Sequence, residues 1–270
     1  MSEKILNGVL AEFENLATIP RPSEHEEKIS DFLKKYLQDL NFEVAQDESK
    51  NIIATISATQ GKENAPTTIL QAHMDMVCVA EEGFNFNPLT DSIKLVRSED
   101  FLQAEGTSLG ADDGIGIAEI LYIAKQEKTF PHGKIKIIFT VNEEQGMSGA
   151  INIDAKHFRD AEFMINCDSE DWDEIVVGSA GSVHIDFSRK INFVAVEEDF
   201  KNAFAIKISG LRGGHSGTEI GKNRANALKL MKNFLHEIQG KGNFQLANFS
   251  GGKASNVIPD AAESLIVTNL

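Results

Sequence analysis

The chain has 270 residues, of which 41% are hydrophobic and 25% are charged, and its formal net charge is −15. This composition is typical of a globular protein with one large or two modest domains. The acidic surface repels nucleic acid and anionic membranes, so neither is an expected partner. The N-terminus leads into an amphipathic pattern, and no apolar run approaches the roughly 20 residues that a membrane span needs. We therefore expect a cytoplasmic protein.

Cysteine usage agrees with that compartment. Cys78 and Cys167 are the only cysteines, and such sparse usage is typical of reducing conditions. We expect two small, buried thiols rather than a disulfide.

The first half of the chain alternates helical and strand-like patterns. Apolar residues at helical spacing predict a helix over residues 5–17, which Pro20 and Pro22 end. Ser23 followed by Glu26 is a capping-box pattern, and it predicts that a second helix opens there and runs to about residue 37. The other elements predicted here are strands over 51–57, 67–73, 134–141 and 163–167 and a helix over 114–125. This alternation favours an α/β fold, a mixed sheet flanked by helices.

The pattern changes near Gly181. Strand-like segments over 183–188 and 203–209 precede a glycine-rich turn, and a helix over 223–238 and strands over 244–249 and 264–268 follow it. We therefore predict two domains, residues 1–181 and residues 182–270, the second being the start of an α+β domain.

Four short motifs of histidine and acidic residues lie where apolar runs stop. They are His73-Met74-Asp75, Gly110-Ala111-Asp112-Asp113-Gly114, Asn142-Glu143-Glu144-Gln145-Gly146 and Asn166-Cys167-Asp168-Ser169. Their imidazole and carboxylates suit a pair of Zn²⁺ or Mn²⁺ ions. Three of the four follow predicted strands, and ligands in open α/β sheets bind beyond the carboxyl ends of strands. Because such ions polarise a carbonyl and activate water, the motifs favour a metal-dependent hydrolase.

Each motif alone also has an ordinary structural explanation. His73 and Asp75 share one face of a strand and can simply face solvent. Asp112 stands where an acidic residue commonly caps a helix. Glu143 and Glu144 diverge, so one can bind metal while the other acts as general base, or both can merely be solvated. The hydrolase hypothesis depends on their joint occurrence.

Three longer segments resemble the aminoacyl-histidine dipeptidases, a branch of the co-catalytic zinc exopeptidases and deacylases. They are residues 73–77 (HMDMV), residues 106–116 (GTSLGADDGIG) and residues 213–217 (GGHSG) followed by Arg224-Ala225-Asn226-Ala227. The match runs in order along essentially the whole chain. Gly114 favours this branch, since the related tripeptide aminopeptidases and deacylases typically carry Lys at that position.

The resemblance implies a zinc exopeptidase-like catalytic domain and a partial α+β lid or dimerisation domain. It also implies two divalent metal ions, for which zinc is the first expectation and manganese or cobalt are the alternatives. His73 and Asp168 would hold one ion and Glu144 the other, with Asp112 bridging both. Asp75 would sit behind His73.

The resemblance also assigns the chemistry. Glu143 would be the general base that takes a proton from the metal-activated water. His215, in the lid, would reach across a homodimer to stabilise the tetrahedral oxyanion, and Asn256 would help to position the substrate. The implied reaction is the hydrolysis of small peptides, namely unblocked dipeptides with Xaa-His among them. The alternatives are a tripeptide aminopeptidase or amide deacylase of the same fold, and a truncated, non-catalytic metal-binding protein.

The chain departs from the family pattern at two places. Family members are considerably longer and supply a last histidine ligand near the C-terminus, and none of His25, His132, His157, His184 and His236 stands in such a segment. We therefore expect one metal to lack a protein ligand and some apolar surface to be uncovered, as in a truncated product, an incomplete reading frame or a fragment. Residues 78–81 also lack the usual basic residues, which leaves the substrate preference open.

Overall fold

The computed structural model describes residues 2–98, 101–169, 173–178, 181, 183, 185–217 and 219–269. The chain divides into two compact units, Met1–Ala180 and Gly181–Leu270, and each has a hydrophobic core of its own. No helix in the described part of the chain combines the length and the apolar character needed to span a bilayer.

The first unit is built around a mixed sheet. Its elements, in chain order, are α1 (Glu3–Ala17), α2 (Glu27–Asp39), β1 (Glu43–Gln46), β2 (Ile52–Ile56), β3 (Thr68–His73), β4 (Leu95–Arg97), β5 (Leu102–Ala104), α3 (Ala111–Lys125), β6 (Ile135–Thr140), α4 (Ser148–Asn152) and β7 (Phe163–Asn166). The sheet order is β1-β2-β6-β3-β7, in which β6, β3 and β7 are parallel and the β1–β2 and β2–β6 pairs are antiparallel. The predicted α/β fold with a mixed sheet and flanking helices is confirmed.

The core lies between one face of this sheet and helices α1, α2 and α3. Helix α1 buries Phe13 and Leu16, which lie three residues apart and so share a helix face. Strand β6 is buried at every position, as expected for an inner strand covered on both faces. On the opposite face, the Lys136 ammonium donates a 2.8 Å hydrogen bond to the carbonyl oxygen of His157, so the chain after α4 covers that face.

The predicted capping box of α2 is wrong. The helix begins at Glu27, and Glu26 makes no side-chain cap hydrogen bond. The Ser23 hydroxyl instead donates to Asp75 Oδ2 at 2.8 Å, and Glu26 Oε1 accepts from the Asn142 N–H at 2.9 Å. Partners that are distant in the sequence have replaced the local cap.

Helix α3 opens in an irregular way. It begins at Ala111, but Asp112 and Asp113 have non-helical dihedral angles and the peptide bond between them is cis. Gly110 occupies the N-cap position in the left-handed region, at φ 70°, which favours glycine. The alternative in which Asp112 caps the helix is therefore wrong.

The second unit is a smaller α+β structure. Its elements are β8 (Asn202–Ile208), α5 (Ala227–Gln239), β9 (Phe244–Gly251) and β10 (Ala262–Thr268). The strands form an antiparallel sheet in the order β8-β10-β9. Met231 and Leu235 of α5 pack with Ala262 and Ile266 of β10. The side chain of Asn226 caps α5 by accepting from the Lys229 N–H at 3.1 Å, which explains why the helix starts later than predicted.

The strand predicted over 183–188 is wrong, because residues 183 and 185–188 are irregular. Residue 184 lies outside the described residues. Ile185 and Phe187 are 65% and 93% exposed. Apolar alternation does not by itself make a strand, because a strand also needs hydrogen bonds to a neighbouring strand.

Other features carry weak sequence signals. Strands β1, β4 and β5 have three or four residues each and are half-buried or exposed, so they were not predicted. Cys78 and Cys167 are both unpaired, as expected, but they are half-buried rather than buried. On β7, Phe163, Met164 and Ile165 are each more than half exposed.

Candidate metal centre

The sheet brings the four predicted motifs to one edge. Strands β6, β3 and β7 are parallel, so their carboxyl ends meet there. His73 is the last residue of β3, Glu143 and Glu144 follow β6, and Asp168 follows β7. Asp112 comes to the same place from the irregular start of α3.

The imidazole of His73 lies at the centre of this cluster and is only 1% exposed. Its Nε2 lies 2.8 Å from Asp112 Oδ1 and 3.9 Å from Asp168 Oδ2. Its Nδ1 lies 3.3 Å from Asp75 Oδ1, a close contact that is not a hydrogen bond. The outward nitrogen thus faces two carboxylates, and the inward nitrogen faces a third.

Asp75 is fully buried and holds the neighbouring loop. Its Oδ1 accepts from the Glu143 N–H at 2.9 Å, and its Oδ2 accepts from the Glu144 N–H at 3.3 Å and from the Ser23 hydroxyl at 2.8 Å. Burial by itself raises the pKa of Asp75, but His73 and these hydrogen-bond donors outweigh burial and lower the pKa to about 2. Asp75 is therefore an anion that orients other groups.

Asp113, to which the sequence pattern assigns no role, also joins the centre. It is buried, and its Oδ2 accepts from the backbone N–H of His73 at 3.1 Å. Burial, followed by the charges of Asp168 and Asp112, raises the pKa of Asp113 to about 7. Its adjacency to Asp112 was the only available signal, because the sequence does not show which way two neighbouring side chains point.

The described part of the chain contains two sets of possible metal ligands, and within each set the ligand atoms all lie within 4.8 Å of one another. They are His73 with Asp113 and Asp168, and His73 with Asp112 and Glu144. Imidazole and carboxylate oxygens are suitable ligands for Zn²⁺ or Mn²⁺. The residues present therefore fit one or two divalent ions.

The electrostatics of the cluster also favour a cation. Burial, followed by neighbouring carboxylates, raises the pKa of Glu143, Glu144 and Asp168. Burial lowers the pKa of His73, but the neighbouring carboxylates of Asp75 and Asp112 raise it to about 9. These shifts describe crowded negative charge that holds a proton, and a divalent ion would relieve the same repulsion.

A cavity of about 200 Å³ adjoins the cluster. Glu143 and Asp168 reach its wall, and the remaining lining includes Met147, Phe158 and Met164. The centre thus borders an apolar space, which is the usual character of a small-molecule site.

His215 and Asn256 lie in the second unit, next to each other. The Ser216 N–H donates to the Asn256 carbonyl oxygen at 2.8 Å, and His215 forms a β-bridge with Val257. Gly214 stands at φ 126°, and its carbonyl oxygen accepts from the Ile258 N–H at 2.8 Å. The glycine-rich turn and the Asn256 segment therefore run side by side.

Several known proteins resemble this chain in sequence and in fold. The chain is 35% identical over 254 residues to the cytosol non-specific dipeptidase of Escherichia coli, covering 94% of this chain and 52% of that protein. The structure matches an aminoacylhistidine dipeptidase from Vibrio alginolyticus with a TM-score of 0.69 and 31% identity, covering 97% of this chain and 53% of that one. A tripeptidase from Staphylococcus aureus shares the fold, with a TM-score of 0.54, 21% identity and coverage of 97% and 66%.

The chain spans about half the length of the two dipeptidases that it matches. A family model described as peptidase family M20/M25/M40 matches residues 69–261, which begin within β3 and end just before β10. The matched stretch is well over half of the chain and contains His73, Asp112 and Asp168. The chain therefore belongs to peptidase family M20/M25/M40.

Proposed function

We propose that the protein is a metal-dependent peptidase that hydrolyses unblocked dipeptides, Xaa-His dipeptides among them. The observation that carries this proposal is the buried His73 ring, which faces Asp112 and Asp168 beside the partly buried Glu143. The two dipeptidases described above, at 31% and 35% identity, support the substrate class.

In this proposal His73 and Asp168 would hold one divalent ion and Glu144 a second, and Asp112 would be shared between them. Zinc suits this donor set best, with manganese or cobalt as alternatives. When bound, such ions polarise the scissile carbonyl and lower the pKa of water. The 3.3 Å approach of Asp75 Oδ1 to His73 Nδ1 supports a role for Asp75 in orienting the ring, as carboxylates behind metal-bound histidines do.

Glu143 is the proposed general base. Its backbone N–H is held by Asp75, which fixes the start of its side chain at the edge of the cluster. Burial raises the pKa of Glu143, which brings a carboxylate closer to the range in which it can both accept and return a proton. Its carboxylate takes a proton from the attacking water and then returns it to the leaving amine.

We further propose that residues 1–181 form the catalytic domain and residues 182–270 part of a lid through which two chains dimerise. His215 of one chain would then stabilise the oxyanion in the other, and Asn256 would position the substrate. The compact second unit and the side-by-side placement of these two residues support a shared role. The name of the Escherichia coli relative supports a cytoplasmic location.

Removal of the imidazole should abolish tight metal binding. After zinc loading and dialysis, we expect the wild-type chain to retain one ion strongly and a second more weakly, because among the described residues this assignment leaves Asp112 and Glu144 for the second. His73→Gln should lose the retained ion, whereas His236→Gln, on the exposed side of α5, should keep it. Zinc content per chain, measured by plasma mass spectrometry, tests this. Wild-type content in His73→Gln would show that the ligand assignment is wrong.

Glu143→Gln should separate catalysis from metal binding. The amide cannot accept the proton, so we expect turnover to fall by about 10²- to 10⁴-fold with zinc content unchanged. Glu162→Gln, an exposed carboxylate just before β7, is the matched control and should retain activity. Initial rates on a dipeptide and zinc content are the measurements. Near-normal turnover of Glu143→Gln would mean that another group is the base.

The length and N-terminus of the substrate separate the dipeptidase from its alternatives. Because a tripeptidase shares the fold, the fold does not decide between them. We expect the zinc-loaded chain to cleave free dipeptides faster than tripeptides and not to cleave N-acylated dipeptides. A preference for tripeptides or acylated substrates would favour a tripeptide aminopeptidase or an amide deacylase. Binding of zinc without any turnover across the panel would favour a non-catalytic metal-binding protein.

The dimer proposal predicts twice the chain mass by sedimentation equilibrium. His215→Ala should still dimerise but lose activity, because it lacks the imidazole that would stabilise the oxyanion in the partner. His157→Ala, in the first unit outside the metal cluster, is the control. A fully active monomer, or a His215→Ala variant with wild-type turnover, would contradict this assignment.

A further inference from the structure

The loop between α1 and α2, residues 18–26, reaches the metal centre through a buried arginine. Arg21 is 3% exposed. Its Nη1 donates to the carbonyl oxygens of Met74 and Asp75, each at 3.1 Å, and its Nη2 donates to the carbonyl oxygen of Gly110. One guanidinium thus joins the loop that follows His73 to the turn that precedes Asp112.

The backbone of the same loop strengthens this connection. The Met76 N–H donates to the carbonyl oxygen of Arg21 at 3.1 Å, and Pro22 forms a parallel β-bridge with Met76. The Ser23 hydroxyl binds Asp75, and Glu26 Oε1 binds the Asn142 N–H. The loop therefore contacts three of the four segments that carry the proposed metal ligands.

Glycines make room for the guanidinium. A Cβ atom at Gly114 would lie 2.4 Å from Arg21 Nη2 and 2.9 Å from a ring carbon of Phe13. A Cβ atom at Gly110 would lie 2.7 Å from the same Nη2. The hydrogen bonds of Arg21 hold its end in place, so it cannot swing away cheaply. Gly114 thus has a packing reason to lack a side chain.

We propose that Arg21 is a positioning residue of the metal centre, which sets the separation between the His73 loop and the Asp112 turn, and that Gly114 is its required packing partner. The inference rests on the proposed metal-dependent function. A guanidinium suits this role because it presents several N–H groups in one rigid plane, whereas a lysine ammonium is a single compact charge. A buried charge is costly unless it is hydrogen-bonded. The hydrogen bonds of Arg21 all go to the two segments whose relative position the site depends on, the His73 loop and the Asp112 turn.

The first test measures metal affinity. Cobalt(II) is titrated into the metal-free full-length chain, with its visible absorption spectrum as the readout. We expect Arg21→Lys to bind cobalt about 10- to 100-fold more weakly, the usual effect of losing a group that orients metal ligands, and with an altered spectrum. Ser23→Ala is the second variant, for the case in which Arg21→Lys does not fold. It removes only one hydrogen bond to Asp75, so we expect a smaller loss of cobalt affinity.

Lys136→Met is the control for disturbing a buried cation at a distance from the metal centre. The Lys136 ammonium is bonded to the His157 carbonyl oxygen and to Asp160, at the start of β6, away from its carboxyl end. This variant should lower the midpoint of thermal unfolding but leave cobalt affinity and spectrum unchanged. An Arg21→Lys variant that behaves like Lys136→Met would overturn the proposal, because its role would then be structural only.

The second test needs no metal. The N–H groups of His73, Glu143 and Glu144 are bonded to Asp113 and Asp75, so hydrogen exchange at these amides reports the register of the loops. In the metal-free chain, Arg21→Lys should speed their exchange and leave the amides of α5 unchanged. Unchanged exchange at all three would overturn the proposal. If the wild-type chain binds no cobalt, the proposed function fails, and this exchange measurement still decides the role of Arg21.

A double-mutant cycle tests the packing partner. Gly114→Ala alone should weaken cobalt binding, because its methyl group displaces the guanidinium. In the Arg21→Ala background the same change should have less effect, since the closer of the two clashing groups is gone and only the Phe13 ring remains. Additive effects of the two changes would contradict a coupling between Arg21 and Gly114.

Discussion

The rest of the centre depends on the hydrogen bonds made to the buried carboxylate of Asp75. Its oxygens accept hydrogen bonds from the Glu143 and Glu144 N–H groups and from Ser23, and one of them faces the ring of His73. A buried anion is tolerated only when such donors surround it. Because these donors come from the loop before α2 and from the segment after β6, while Asp75 itself follows β3, satisfying this one charge brings distant parts of the chain into register.

Around that fixed anion, the centre concentrates negative charge rather than dispersing it. Burial and mutual repulsion raise the pKa of Asp113, Glu143, Glu144 and Asp168. Such crowding is unfavourable in an isolated protein, and it is the arrangement expected where a cation completes the site. The positive charge of Arg21 offsets part of this negative charge. Its hydrogen bonds go to backbone carbonyl oxygens, so the carboxylates stay available to bind a cation.

The two units divide the proposed work. The first unit carries the proposed metal ligands and the proposed general base at the edge of a mixed sheet, where three parallel strands end. The second unit carries His215 and Asn256 on turns beside a small antiparallel sheet. Placing the charge-bearing groups on strand ends gives precise spacing, since the sheet fixes the distances between neighbouring strands.

The sequence by itself determined the fold class, the main helices and inner strands, and the location of the acidic motifs at strand ends, because apolar periodicity and strand ends are local properties. It also indicated the family through HMDMV and GTSLGADDGIG. Only the tertiary structure decided that Ser23 and Glu26 serve the centre instead of capping α2, that Asp113 joins it, and that residues 185–188 form no strand. The first two of these outcomes depend on partners far away in the chain. A local pattern shows that a side chain can make a hydrogen bond, but the folded chain determines which group receives it.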